Sequence, residues 1–369
     1  MFALGRRWGL RAASVLSLFA APLFVVSPRG AGAATPGPIM VAGIDAEDGG
    51  PGGHGPETVY QNIVNGLLSN VSSGGSGILV VGGGKDLSDD VSTFWATIGT
   101  AIGQPITFVN GAANISSQSF AGFALIVVSS SEVETPSGGL TDDENAALTA
   151  REFGIATHVN GGGGLLVLTQ AGLLTPYAFL AGIGAITSDM IMSGPDDDID
   201  VTAAGTAAGL TDELDVCCWH EQYLTFPSFL QPLAFYAGST EVAAIGGSSV
   251  VLPSGLTLAP DTQTVTAGQN CVVTATVLRG GQPIANQSVT FSVTSGPHAG
   301  VSATSVTDGS GNAQFSYPTS VLGNDLITAS TAVGNDVLAD TANCVIVAPL
   351  PSTNPVPVVP VTVTPTFAG

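Results

Sequence analysis

The segment Asp45-Ala46-Glu47-Asp48-Gly49-Gly50-Pro51-Gly52-Gly53-His54 gathers three carboxylates and an imidazole in ten residues. Such groups divide general acid and base work between them, or offer the oxygen and nitrogen donors that hold a divalent cation such as calcium. Asp45, Glu47 and Asp48 are the candidate metal ligands, and His54, Lys85 and Glu132 extend them to a candidate ligand-binding site. Farther along, Thr169-Gln170 offers a hydroxyl and an amide, and His220-Glu221 a base beside an acid. These four are the candidate catalytic residues. Gly82-Gly83-Gly84-Lys85-Asp86 lacks the upstream glycine of a phosphate loop and has Asp86 where a magnesium-binding Ser or Thr belongs, which argues against a nucleotide.

Bringing these residues together falls to the elements between them. Short apolar runs at 39–44, 78–81, 124–128 and 165–168, and Ile106-Thr107-Phe108-Val109, read as strands, the wholly apolar 165–168 as one buried on both faces. Between them lie helical stretches at 57–71, at 88–102 with Ser88 as cap, and from a Thr141–Glu144 capping box to the glycines 161–164. Strand and helix in alternation predict an α/β domain: a flavodoxin-like parallel sheet with helices on both faces. Asp45, Lys85, Glu132 and Thr169 then all follow strands and share the carboxyl edge, where open α/β sheets bind ligands. Strands at 215–224 and 241–252 complete the sheet. From 256 to 347 the helical period gives way to Thr/Val-rich alternation with Gly, Asn and Pro turns, the pattern of an all-β sandwich.

Arg6, Arg7 and Arg11 precede an apolar run, and Ala31-Gly32-Ala33 is a small-residue cleavage site, so 1–34 reads as a signal peptide and the protein as secreted. The remaining divisions are an α/β domain over 35–253, a β-sandwich over 254–348 and a Pro-rich disordered tail over 349–369. Net charge is −21 for the whole chain, and removing the leader's four arginines makes it 3 − 28 = −25. That field repels nucleic acid and anionic lipid and draws divalent cations. No stretch after the leader is apolar enough to span a membrane. Cys271 and Cys344 lie near the two ends of the sandwich, and a disulfide between them would close a 73-residue loop worth about 4 kcal/mol, leaving the α/β domain to unfold separately. For adjacent Cys217 and Cys218, a vicinal disulfide and two small buried thiols both stay open.

Two resemblances follow. Val293-Thr294-Ser295-Gly296-Pro297-His298-Ala299-Gly300, the phrase Thr307-Asp308-Gly309-Ser310-Gly311-Asn312-Ala313-Gln314-Phe315-Ser316-Tyr317, and Gly323-Asn324-Asp325-Leu326-Ile327-Thr328-Ala329 resemble bacterial Ig-like domains of the invasin and intimin type. That resemblance implies an exported adhesive or spacer module meeting protein or carbohydrate at the cell surface. The first domain is similar to the class I glutamine amidotransferase-like superfamily, in its ThuA-like branch. The likeness is carried by Phe120 to Val128, Gly161 to Gln170 and Trp219-His220-Glu221-Gln222-Tyr223. It implies a Cys nucleophile after the central strand, but Thr169-Gln170 stands there and His220 and Glu221 are adjacent, so the Cys-His-Glu triad does not transfer. The expected function is therefore a non-catalytic surface protein with an amidotransferase-like head on an Ig-like module. The alternative is a divergent hydrolase or carbohydrate-active enzyme, which requires Asp45, Glu47, His54 and His220 to converge.

Overall fold

The computed structural model describes residues 24–26, 35–191, 198–215, 218–248 and 254–350. The leader lies outside the described residues apart from Phe24–Val26, a strand set parallel against Val337–Ala339. The tail lies outside them from 351 onward, as does Cys217.

The head is built on β1 (Pro38–Ala42), β2 (Ile78–Val81), β3 (Ile106–Val109), β4 (Leu125–Val128) and β5 (Gly164–Val167), all parallel in the order β3-β2-β4-β5-β1. Successive side chains point to opposite faces, so Ile78 and Val80 enter one core while Leu79 and Val81 enter the other. The first core is closed by α1 (Glu57–Ser69) and α2 (Asp90–Ile102). The second is closed by α3 (Ala112–Ser117), α4 (Asp142–Thr149) and α5 (Glu152–Asn160). Helices thus cover both faces, as the apolar runs require. A flavodoxin-like sheet runs 2-1-3-4-5; here β2 to β5 fill the first four places in that order, and β1, which precedes them, takes the fifth.

Beyond β1 the sheet turns antiparallel. After β6 (Thr187–Met190), β7 (Ile199–Val201) and β8 (Glu221–Thr225), the strands β9 (Gln231–Tyr236) and β10 (Val242–Ser248) extend it as β1-β10-β9-β7. β6 and β8 pair separately. Several boundaries differ from the sequence expectation. Asp89, not Ser88, caps α2, its side chain accepting from the Ser92 amide at 2.6 Å. The strand expected at 215–224 begins only at Glu221, after a 3-10 turn over Asp212–Leu214. The single helix expected after Thr141 breaks into α4 and α5 at Ala150-Arg151, because the Ala150 carbonyl accepts from the Asn335 amide at 2.8 Å instead of closing a helical turn.

The distal domain is an Ig-like sandwich. One sheet holds β11 (Gly255–Ala259), β13 (Asn270–Arg279), β14 (Gln282–Pro283) and β17 (Asn312–Pro318). The other holds β12 (Thr262–Thr266), β15 (Ser288–Ser295), β16 (Ser302–Val306), β18 (Gly323–Val333) and β19 (Asp336–Val347). Alternate residues of β13 are buried, and Phe291 stacks on Phe315 across the core with ring centroids 5.3 Å apart. The Cys271–Cys344 disulfide joins the sheets, as the sequence suggested.

Two cations outside the leader tie the domains together. Arg151 of the head pairs with Asp336 at 2.8 Å, and Arg279 of the sandwich pairs with Glu152 at 2.6 Å. Phe153, 1% exposed, inserts from α5 into the sandwich core. The two bodies therefore share packed and ionic contacts, against the expectation of independent unfolding.

Candidate functional site

The cluster is assembled where β1 ends. Gly43 is forced at that point, since a Cβ there would lie 2.8 Å from the Glu221 carbonyl oxygen. This close approach lets the Gly43 carbonyl accept from the His220 amide at 2.7 Å and lets Ile44 bridge Trp219 in antiparallel register. The Asp45 amide donates to the Cys218 carbonyl at 3.2 Å. Residues more than 160 apart in the chain are thereby locked side by side. Downstream, three successive turns close through Asp48, Gly50 and Gly53 amides. Gly49, Gly50, Gly52 and Gly55 adopt positive φ, which explains the glycine density, and the loop folds back until His54 meets Asp45.

Asp45, 3% exposed, is the hub. His54 Nδ1 lies 2.8 Å from Asp45 Oδ1 and 3.0 Å from its carbonyl oxygen, while His220 Nε2 lies 3.3 Å from Asp45 Oδ2. On the outer side His220 Nδ1 is 3.3 Å from Glu134 Oε2, and His54 Nε2 is 3.8 Å from Asp48 Oδ2. Burial pulls the His54 imidazole down, but its hydrogen bond to Asp45 and the charges of Asp45 and Asp48 outweigh that, and its pKa stands above the usual 6.5. Burial, then the negative charge of Asp45, raises Asp48. Burial also raises Glu134, opposed by His220 and reinforced by Asp45 and Asp48. A cation binding here would compete with protons for these groups.

Other residues singled out in the sequence lie elsewhere. Glu47 faces inward: it accepts from Trp95 Nε1 and, at 2.7 Å, from the Ser130 amide, and is fully buried, apart from the groups that gather around Asp45. Burial pushes its carboxyl up to about 7 against those two hydrogen bonds. Lys85 is structural, paired with Glu144 at 2.9 Å and donating to the Gly139 carbonyl. Glu132 is exposed, and Glu134, two residues on, takes the place expected of it.

Thr169, Gln170 and Glu221 are not displayed at an open edge. They form a closed internal network: Glu221, 1% exposed, accepts from the Gln170 amide at 3.0 Å, Thr169 Oγ1 at 3.1 Å, Ser188 Oγ at 3.0 Å and Tyr177 Oη. Gln170 Nε2 donates to the Ser129, Leu168 and Thr169 carbonyls. With every one of these groups in the interior, only His220 of the four candidate catalytic residues reaches the cluster. Sequence reasoning missed Glu134 and Cys218. A lone acid in a loop gives no signal, whereas Cys218 could have been suspected from its place two residues before His220.

No family model matches the chain, and no curated protein matches it. Among solved structures, part of the chain is similar to the D00-D0 domain of Intimin, at 18% identity over 45% of this chain and 87% of that one, with a TM-score of 0.23. The D0-D1 domain of Intimin gives 17% over 43% and 80%, with a TM-score of 0.20. S-layer protein SbsC domains 4 and 5 give 15% over 35% and 65%, with a TM-score of 0.19. The Ig-like sandwich stands on its own strand order. Among the described residues no helix is long and apolar enough to cross a membrane.

Proposed function

We propose that the chain is an exported surface protein whose Ig-like module carries an α/β head, and that the head acts through a divalent-cation site at the carboxyl edge of its parallel sheet. The observation behind this reading is the convergence of two imidazoles, His54 and His220, on the two oxygens of one buried carboxylate, Asp45. Asp48 supplies a further oxygen beside His54. Two nitrogen donors with carboxylates suit zinc, manganese or iron better than calcium, which takes oxygen ligands. Asp45 is shared by two donor sets, one with Asp48 and His54 and one with Cys218 and His220, the ligand atoms of each within 4.8 Å of one another; in this role His54 Nε2, His220 Nε2, Asp45 and Asp48 would hold the ion once the two sets close on it. Glu134 would fix the His220 ring through Nδ1, the partner that orients a ligating imidazole. The amidotransferase-like likeness is then one of scaffold, with no triad on it.

Glu47 turns to Trp95 and does not join Asp45, His54 and His220 as the hydrolase alternative required, so a hydrolytic role is the second reading only through Glu134, which stands against His220. A carboxyl raised by burial beside an imidazole is suited to proton transfer, and a bound cation would lower the pKa of its water. The test is zinc and manganese titration of the full chain by calorimetry, followed by an ester, amide and glycoside screen of the loaded protein. One saturable site, abolished in the His54→Ala/His220→Ala variant, is the expected result. Turnover lost in Glu134→Gln at zinc concentrations that keep the site loaded would establish the hydrolytic role. No saturable binding would reject the cation site.

A further inference from the structure

Cys218 stands on the cluster without having a part in the reading above. Its Sγ lies 3.2 Å from His54 Nε2, and its sulfur, an Asp45 oxygen and a His220 nitrogen all lie within 4.8 Å of one another. The residue is 8% exposed and engaged in a disulfide. Its backbone holds φ at +96°, a conformation that non-glycine residues rarely adopt, and its carbonyl is pinned by the Asp45 amide. Such strain clusters where surrounding structure dictates a side chain's direction, and here the sulfur is set against His54 and within 4.8 Å of a His220 nitrogen.

We propose that Cys218 is a redox-controlled ligand of the same site: reduction of its disulfide supplies a thiolate and turns a weak imidazole–carboxylate site into a tight zinc-class one. This rests on the cation-site reading. A disulfide sulfur carries no charge and is a poor donor, whereas a thiolate with two imidazoles and a carboxylate matches the four-coordinate preference of zinc. The exchange balances with an external dithiol as reductant. Its two sulfurs become a cyclic disulfide, two electrons break the Cys218 S–S bond, and its two protons pass to the released cysteines. Cys218 gives up its proton when the metal binds. With Cys271 joined to Cys344, the one remaining cysteine is Cys217, outside the described residues.

Cobalt(II) reports the ligand type directly, because a thiolate adds a near-ultraviolet charge-transfer band that imidazole and carboxylate do not. The full chain would be titrated with cobalt before and after treatment with a phosphine reductant, beside Cys218→Ser and Cys217→Ser. The band is expected in the reduced chain and, without reductant, in Cys217→Ser. It should be absent from the oxidised chain and from Cys218→Ser. Losing even an outer partner of a metal ligand changes affinity about 10–100-fold, so reduction should tighten binding by more than about tenfold. Visible ligand-field bands without the thiolate band in the reduced chain would overturn the proposal and leave the cation site standing. No cobalt spectrum in any state would overturn both.

Discussion

Removing Asp336 should destabilise the whole molecule and break its cooperativity. Asp336 is 2% exposed at its side chain and Arg151 8%, so solvent screens their 2.8 Å contact little. The Arg151 guanidinium also donates through Nη1 to the Ile115, Ser116 and Gln118 carbonyls and lies over the Phe120 ring. It therefore stays in place when its partner goes, as a buried charge without its counter-ion. Asp336→Ala also strips the Gly154 amide of its acceptor at 2.9 Å. Loss of one partner of a buried pair costs about 3–5 kcal/mol, and the orphaned amide puts this case toward the upper end. Urea unfolding followed by tryptophan fluorescence is informative because all tryptophans outside the leader lie in the head, while the perturbed carboxylate lies in the sandwich. The wild type should unfold in one transition, and Asp336→Ala should lower the midpoint seen by the head's tryptophans. In a double-mutant cycle, Arg151→Met should recover part of the loss. A shift below about 1 kcal/mol, the range of exposed pairs, would refute the claim that this contact couples the domains.

Phe153→Ala should cost about 3–5 kcal/mol, because an aromatic ring 1% exposed leaves a cavity in the sandwich core; chemical denaturation measures it, and a neutral effect would show that the head does not dock there. Reducing Cys271–Cys344 frees a 73-residue loop and should cost about 4 kcal/mol, lowering the thermal midpoint seen by head and sandwich probes alike. Glu47 should make stability fall as pH rises. Its folded pKa of about 7 lies above the usual 4.5, so the folded chain keeps a proton that the unfolded chain has lost. The contribution is whole below about pH 4.5 and gone above about pH 7, a loss of about 3 kcal/mol across that window, and Glu47→Gln should flatten the slope.

The α/β sheet was legible because its strands are continuous apolar runs, Ile78-Leu79-Val80-Val81 and Leu125-Ile126-Val127-Val128 among them, which bury only between two helical layers. The sandwich was legible from alternation, and its disulfide from the positions of Cys271 and Cys344. Strand order was not, since nothing in the run at β1 says whether it pairs with β2 or with β5. The helix break at Ala150-Arg151 depends on Asn335, in a distal turn nearly two hundred residues away, which local propensity cannot register. At the site, loop composition pointed to Asp45, Asp48 and His54, and their approach to His220 followed. The direction of Glu47 was hidden because a turn, not a strand, decides that it faces Trp95. Lys85 resembled a ligand residue by its glycines, but in a chain so poor in cations it is taken up by Glu144.

The central claim is that His54 and His220 ligate one cation on the head. X-ray absorption at the zinc edge of the zinc-loaded full chain tests it most directly, because imidazoles give an outer-shell scattering pattern distinct from carboxylates. The account predicts two imidazole ligands, falling to one in His54→Ala and in His220→Ala. A spectrum fitted by oxygen donors alone, or one unchanged by both substitutions, would contradict it.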